Sequence, residues 1–169
     1  MKKNRKGASI VELCAGLVIF IPVVLALLDV IFVSLYKTET DSLAKRSAIA
    51  AATTNYGTTN PATTPVSSYQ AAAQSVLTTY NSGSLASPAT VTVSFINNNA
   101  PAPTASNPNP PLSSTVTTSP TTTTDGIVTL VTTKWNLPVP IPFGGPTSVT
   151  LVAQASSPLV NNLPVTTGP

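Results

Sequence analysis

Between Leu13 and Tyr36 lie 24 residues whose only charge is Asp29, and this run constrains the chain more than any other feature. As an α-helix it would extend about 36 Å at 1.5 Å per residue, enough to cross a hydrocarbon core of roughly 30 Å with some tilt. Met1 to Lys6 carry Lys2, Lys3, Arg5 and Lys6 and no acid. By the positive-inside rule that excess places the N-terminus in the cytoplasm and everything after about Lys37 outside. A cleavable secretory signal would have an apolar core of about 7–15 residues followed by a small-x-small site. This core is longer, and Tyr36-Lys37-Thr38-Glu39 after it has no such site. Ala48 to Ala52 does, but lies well past the apolar run.

Three residues interrupt the apolar character. Pro22 lacks an N–H, which kinks or loosens a helix but is tolerated where neighbours satisfy the freed carbonyl. Asp29 has two readings: it sits near the outer headgroups, or, the reading we adopt, it faces a partner helix. Glu12 stands at the mouth of the segment, five residues after Gly7, and a carboxylate at such a place is costly. It is either an ordinary interfacial residue beside Lys6 or half of an ion pair. The Gly7/Glu12 layout resembles the processing site of type IV prepilins, which implies cleavage behind Gly7. Ala8 would then be a new α-ammonium, and in a bundle Glu12 could pair with a neighbour's ammonium. A buried charge without a partner is strongly unfavourable, so such a pair would set the register of one subunit against the next.

The run Lys6-Gly7-Ala8-Ser9-Ile10-Val11-Glu12-Leu13, then Pro22, then Leu27-Leu28-Asp29, resembles the TadE-like pseudopilins, minor subunits of the tight-adherence (Flp-type) branch of type IV pili. Leu13 stands where that family usually has an aromatic. The resemblance rests mainly on the first fifty or so residues. It implies processing by a prepilin peptidase between Gly7 and Ala8, with Glu12, Ala8, Pro22 and Asp29 serving assembly. The implied partners are the membrane, the peptidase, other pilin or pseudopilin subunits and the assembly platform. The implied location is a bacterial cell membrane, single-pass, with the outer head fibre-associated after assembly. An uncleaved anchor carrying a surface or stalk protein is the alternative, and explains everything except the Gly7/Glu12 spacing. A major fibre subunit of that system would be shorter, so the head suggests a minor, priming or tip role by family analogy.

The net charge of +3 comes from the leader, because beyond Arg46 only Asp125 and Lys134 are charged in 123 residues. That is not the clustered basic face a nucleic-acid surface needs. Cys14 is the single cysteine, which excludes an internal disulfide and any multi-cysteine metal site. A lipidated cysteine would follow the apolar region, whereas Cys14 opens it, so a buried apolar thiol is expected. With no histidine the commonest general base and metal ligand is missing. Asp125 and Lys134 are the only head groups suited to acid–base work, and nothing places a serine beside Lys134. We expect no catalytic residue, no metal, no cofactor and no enzyme.

Past the membrane the helix should continue as a stem (37–57) through an Asp41/Lys45 i,i+4 pair to Tyr56 and Gly57. The expected division is leader 1–7, membrane helix 8–36, stem 37–57 and head 58–169. Thr58 to Thr64 reads as a loop, and Thr64-Pro65 as the start of a second helix with Thr64 as N-cap. Tyr69, Ala72, Ala73, Val76, Leu77 and Tyr80 then form one apolar stripe. Strands are expected at 89–96, 127–135 and 148–155 from alternation and β-branched content. Residues 97–124 offer too little apolar surface to offset ordering and read as a flexible loop. Trp135 is most simply a core or sheet-edge residue. The fold class is α+β: a long N-terminal helix, a short second helix and a small antiparallel sheet, as in pilins.

Overall fold

The computed structural model describes residues 6–54, 60–80, 85–99, 113–138 and 146–159, with side chains from Ile10 onward except at Asn99 and Ser113. It is an α+β fold built on one continuous helix. That helix, α1 (Lys6–Thr53), has 48 residues and contains Pro22. The expected membrane segment and stem are therefore one element of about 72 Å. Its last turn is tightened: Thr54 N–H donates to Ala51 O at 3.1 Å, and the Thr53 and Thr54 hydroxyls both turn back to Ala50 O. The end comes a turn before the expected Tyr56, and 55–59 lie outside the described residues.

A short 3₁₀ turn, Pro61–Thr63, follows, capped by Asn60 Oδ1, which accepts from Ala62 N–H at 2.9 Å. The second helix, α2 (Val66–Thr79), starts one residue later than expected, with Pro65 rather than Thr64 as its N-cap. Pro65 is extended there, at ψ 143°. The expected stripe is the packed face: Tyr69, Ala73 and Leu77 are buried, and Ala72, Val76 and Tyr80 half-buried. It covers both α1 and the first strand.

The sheet has four antiparallel strands: β1 (Leu85–Asn99), β2 (Ser113–Thr117), β3 (Thr124–Asn136) and β4 (Ser148–Pro158), in spatial order β2-β1-β3-β4. Three correspond to the expected strands, each longer. The fourth, β2, lies inside the segment expected as a flexible loop. Phe95 to Asn99 of β1 pair with Thr117 to Ser113, so both ends of 97–124 are tied into the sheet. Backbone pairing holds a strand whose one large apolar residue, Val116, is 66% exposed. Residues 100–112 lie outside the described set.

β2 protects only the distal part of β1's edge. Nearer α2, two glutamines do the same work. Gln70 donates through Nε2 to Val91 O and accepts from Val93 N–H at 3.2 Å, while Gln74 Nε2 donates to Ala89 O at 3.2 Å. Unpaired strand groups are thus satisfied by side chains rather than by another strand.

The core lies between α1, α2 and one face of the sheet. Leu43, Ala44, Ala51 and Ala52 from α1 meet Tyr69, Ala73 and Leu77 from α2, and Val91, Val93, Phe95, Ile127, Val131 and Ala153 from the sheet. Tyr69 and Phe95 meet edge to face with centroids 5.1 Å apart, a geometry aromatic rings prefer.

Candidate functional site

From Ile10 to Phe20 every side chain of α1 is exposed, and only 6% of its most apolar 18-residue window is buried. The helix is long and apolar enough to cross a membrane. Ala26 and Asp29 share a cavity with the end of the sheet, and beyond them Phe32, Val33 and Tyr36 are half-buried. Between Ile10 and Leu28 most side chains are exposed, a rise of about 28 Å, close to a hydrocarbon core of roughly 30 Å.

The expected site residues are distributed along this helix rather than gathered. Gly7 and Ala8 lie in its first turn, and their side chains are outside the described set. Glu12 is exposed, one turn beyond Ala8 on the same face, with no ion pair among the described residues. Pro22 is half-buried mid-helix. Cys14, expected as a buried thiol, is exposed, because it lies on the stretch that the head does not cover. Asp29 is apart from the others. It is 6% exposed, turned under the head beside Leu137, Pro146, Ser148 and Val149. Neither of its carboxylate oxygens has a hydrogen-bond partner. In this single chain it faces the sheet end of its own head, not an open helix surface.

Two turns further on, helix and head are joined by contacts the sequence did not announce. Tyr36 stacks on Trp135 with ring centroids 4.5 Å apart and planes 6° from parallel. Trp135, read from sequence as a core or sheet-edge residue, is fully buried. Its Nε1–H donates to Thr133 Oγ1 at 2.8 Å and to Thr40 Oγ1 at 3.2 Å. The two hydroxyls are 2.8 Å apart, and Thr40 Oγ1 also lies 2.8 Å from Tyr36 O, to which it donates. One turn on, Thr129 Oγ1 donates to Ala44 O at 2.9 Å. The inward threonines of β3 therefore fix where α1 sits along the sheet.

Lys37 adds a polar clamp: its Nζ donates to Asp41 Oδ1 at 2.8 Å and to Val152 O of β4 at 2.9 Å. This replaces the expected Asp41/Lys45 pair, since Lys37 can bond Asp41 and a strand carbonyl at once while Lys45 is exposed. The alternating Thr129, Val131, Thr133 and Trp135 were the available signal for an inward face. Nothing in the sequence matched those positions to Tyr36, Lys37 and Thr40.

In the head, Lys134 is exposed and Asp125 accepts a hydrogen bond from Asn98 Nδ2. Among the described residues no three His, Cys, Asp or Glu side chains form a metal-binding group. Comparison of the chain with protein-family models, curated proteins and solved structures returns no match.

Proposed function

We propose that this chain is a minor pilin-like subunit of the TadE-like pseudopilin type, cut behind Gly7 by a prepilin peptidase and assembled through α1. It acts as a structural part, not an enzyme. The observation that carries this reading is a single helix with two unlike halves. One half is exposed, apolar and opened by the Gly7/Glu12 step; the other, without a break, forms one layer of an α+β head. A helix so built can stand in a bilayer and later exchange lipid for neighbouring helices, since lipid tails and apolar side chains are alike as surroundings. Glu12 is the residue for which that exchange is not neutral. Out of lipid it needs a cation, and the Ala8 ammonium of an adjoining copy supplies one. The basic leader supports a cytoplasmic N-terminus and an outward head in a bacterial cell membrane.

Intact-mass analysis of the membrane form tests the reading, together with a Glu12→Leu variant. The mature chain is expected to begin at Ala8, and the variant to insert and be processed normally yet fail to assemble. A mature chain that keeps Met1 to Gly7 would instead establish the uncleaved anchor.

A further inference from the structure

Asp29 is the one acid of the apolar run, and its burial has no local explanation. Its oxygens are shielded from solvent and unpartnered, and no cation is paired with it among the described residues. An ionised carboxylate so placed is strongly unfavourable unless a positive group joins it. It lines a cavity of about 450 Å³ between α1 and the end of the sheet. Val30, Val33, Leu137 and Val149 give that cavity apolar walls, and Ser148 is the other hydrogen-bonding side chain among the residues that form it. An apolar chamber with one unpartnered carboxyl group suits a cation on an aliphatic body better than a hydrated metal ion, which would need several oxygen ligands.

We propose that this cavity is a binding site for an alkylammonium group, with Asp29 as its counter-ion and Ser148 as a second acceptor. Two sources share that chemistry: the amino terminus of a second copy of this chain, and a free aliphatic amine. The first is an ammonium followed directly by Ala8, Ser9, Ile10 and Val11, an apolar segment that matches the walls. Ala8 and Asp29 are 21 residues apart on α1, about 31 Å along the axis. A neighbour displaced outward by about one membrane thickness would therefore bring its amino terminus level with Asp29. That source rests on the processing proposed above, and a terminus seated at Asp29 is one that is not paired with Glu12; the site itself rests on neither.

Trp135, the chain's single tryptophan, lies two residues before Leu137 on the same strand end and serves as reporter. The full-length chain in a non-ionic detergent is titrated with n-butylammonium, with n-butanol as the neutral control, for the wild type and for Asp29→Asn. The expected result is a saturable change in tryptophan emission with the amine only, about tenfold or more weaker in Asp29→Asn, as for loss of a charge-assisted hydrogen bond. Unchanged amine binding in the variant, equal response to butanol, or no saturation would each overturn the site. Near-ultraviolet circular dichroism of Asp29→Asn shows whether the head is still packed; should it be lost, Ser148→Ala takes its place and is expected to weaken amine binding. The source is read separately by disulfide trapping between Ser9→Cys and Val30→Cys copies in a Cys14→Ala background. A trapped pair identifies the second copy's amino terminus, and no pair with amine binding retained identifies a free amine.

Discussion

At the scale of single residues, the head contains polar groups whose position is set by what they would lose if moved. Tyr69 is the clearest case. Its ring is buried, it packs edge to face on Phe95, and its hydroxyl donates to Pro61 O at 3.3 Å. Burial raises its phenol above the usual value near 10, with a smaller opposing effect from a hydrogen bond with Thr64. The sign follows from proton counting. Above about pH 10 an unfolded tyrosine ionises while the folded one stays neutral, so the folded state binds more protons and stability falls as pH rises. Below pH 10 this contribution is complete; it is lost as pH climbs through the folded value. Urea unfolding at pH 8 and at pH 11 should therefore show a smaller loss in Tyr69→Phe than in the wild type. Equal losses would mean that Tyr69 ionises in the folded head as freely as in water.

At the scale of elements, the inner face of α1 is a ladder of small side chains. Thr40, Ala44, Ser47, Ala48 and Ala51 are each fully buried, spaced to share one face of a 3.6-residue helix. Their size lets the backbone come close enough for Thr129 to reach Ala44 O. A larger side chain must lift the helix off the sheet or strain its rotamers. Ala44→Leu is thus expected to destabilise the head by about 1–3 kcal/mol, while Ile49→Ala, on the exposed face, changes stability by no more than about 0.5 kcal/mol. Denaturant midpoints of the two variants decide it, and equal shifts would show that α1 is not tightly seated.

The elements differ in how far the sequence revealed them, and the difference is physical. α1 announces itself as an unbroken apolar run and α2, β1, β3 and β4 by their own apolar periods, so the sequence revealed them with errors at the ends. Ser113-Ser114-Thr115-Val116-Thr117 has no such period, because β2 gains its place from backbone bonds to β1 and buries almost nothing. The site divides the same way. The Gly7/Glu12 step and Asp29 stand out as charges in an apolar run. The seat of the helix on the sheet depends on pairs more than ninety residues apart, Thr40 with Thr133 and Tyr36 with Trp135, which no local pattern joins. Asp29 was visible as an oddity, but that it turns under its own head was not, since this needed the far end of the sheet.

At the scale of the whole molecule, the apolar stretch and the head cannot be separated where the composition changes. The half of α1 after Val33 belongs to the head's core, contributing the Tyr36 stack, the Lys37 clamp, the Thr40 network and the wall formed by Leu43, Ala44, Ala51 and Ala52. Without α1 the inner face of β3 and β4 would meet water, and no disulfide compensates in a chain whose lone cysteine lies in the exposed apolar stretch. Domains this small have little surplus burial to give up. A chain beginning at Val33 keeps all of those contacts and sheds the exposed apolar stretch, so it should unfold cooperatively in urea and give dispersed amide resonances without detergent. A chain beginning at Asn60 retains every strand and α2, yet should give neither signature. Cooperative unfolding of that shorter chain would show that the sheet and α2 suffice, and that α1 is only attached to the head. The opposite result makes α1 the element through which any pull on its apolar half is felt inside the head.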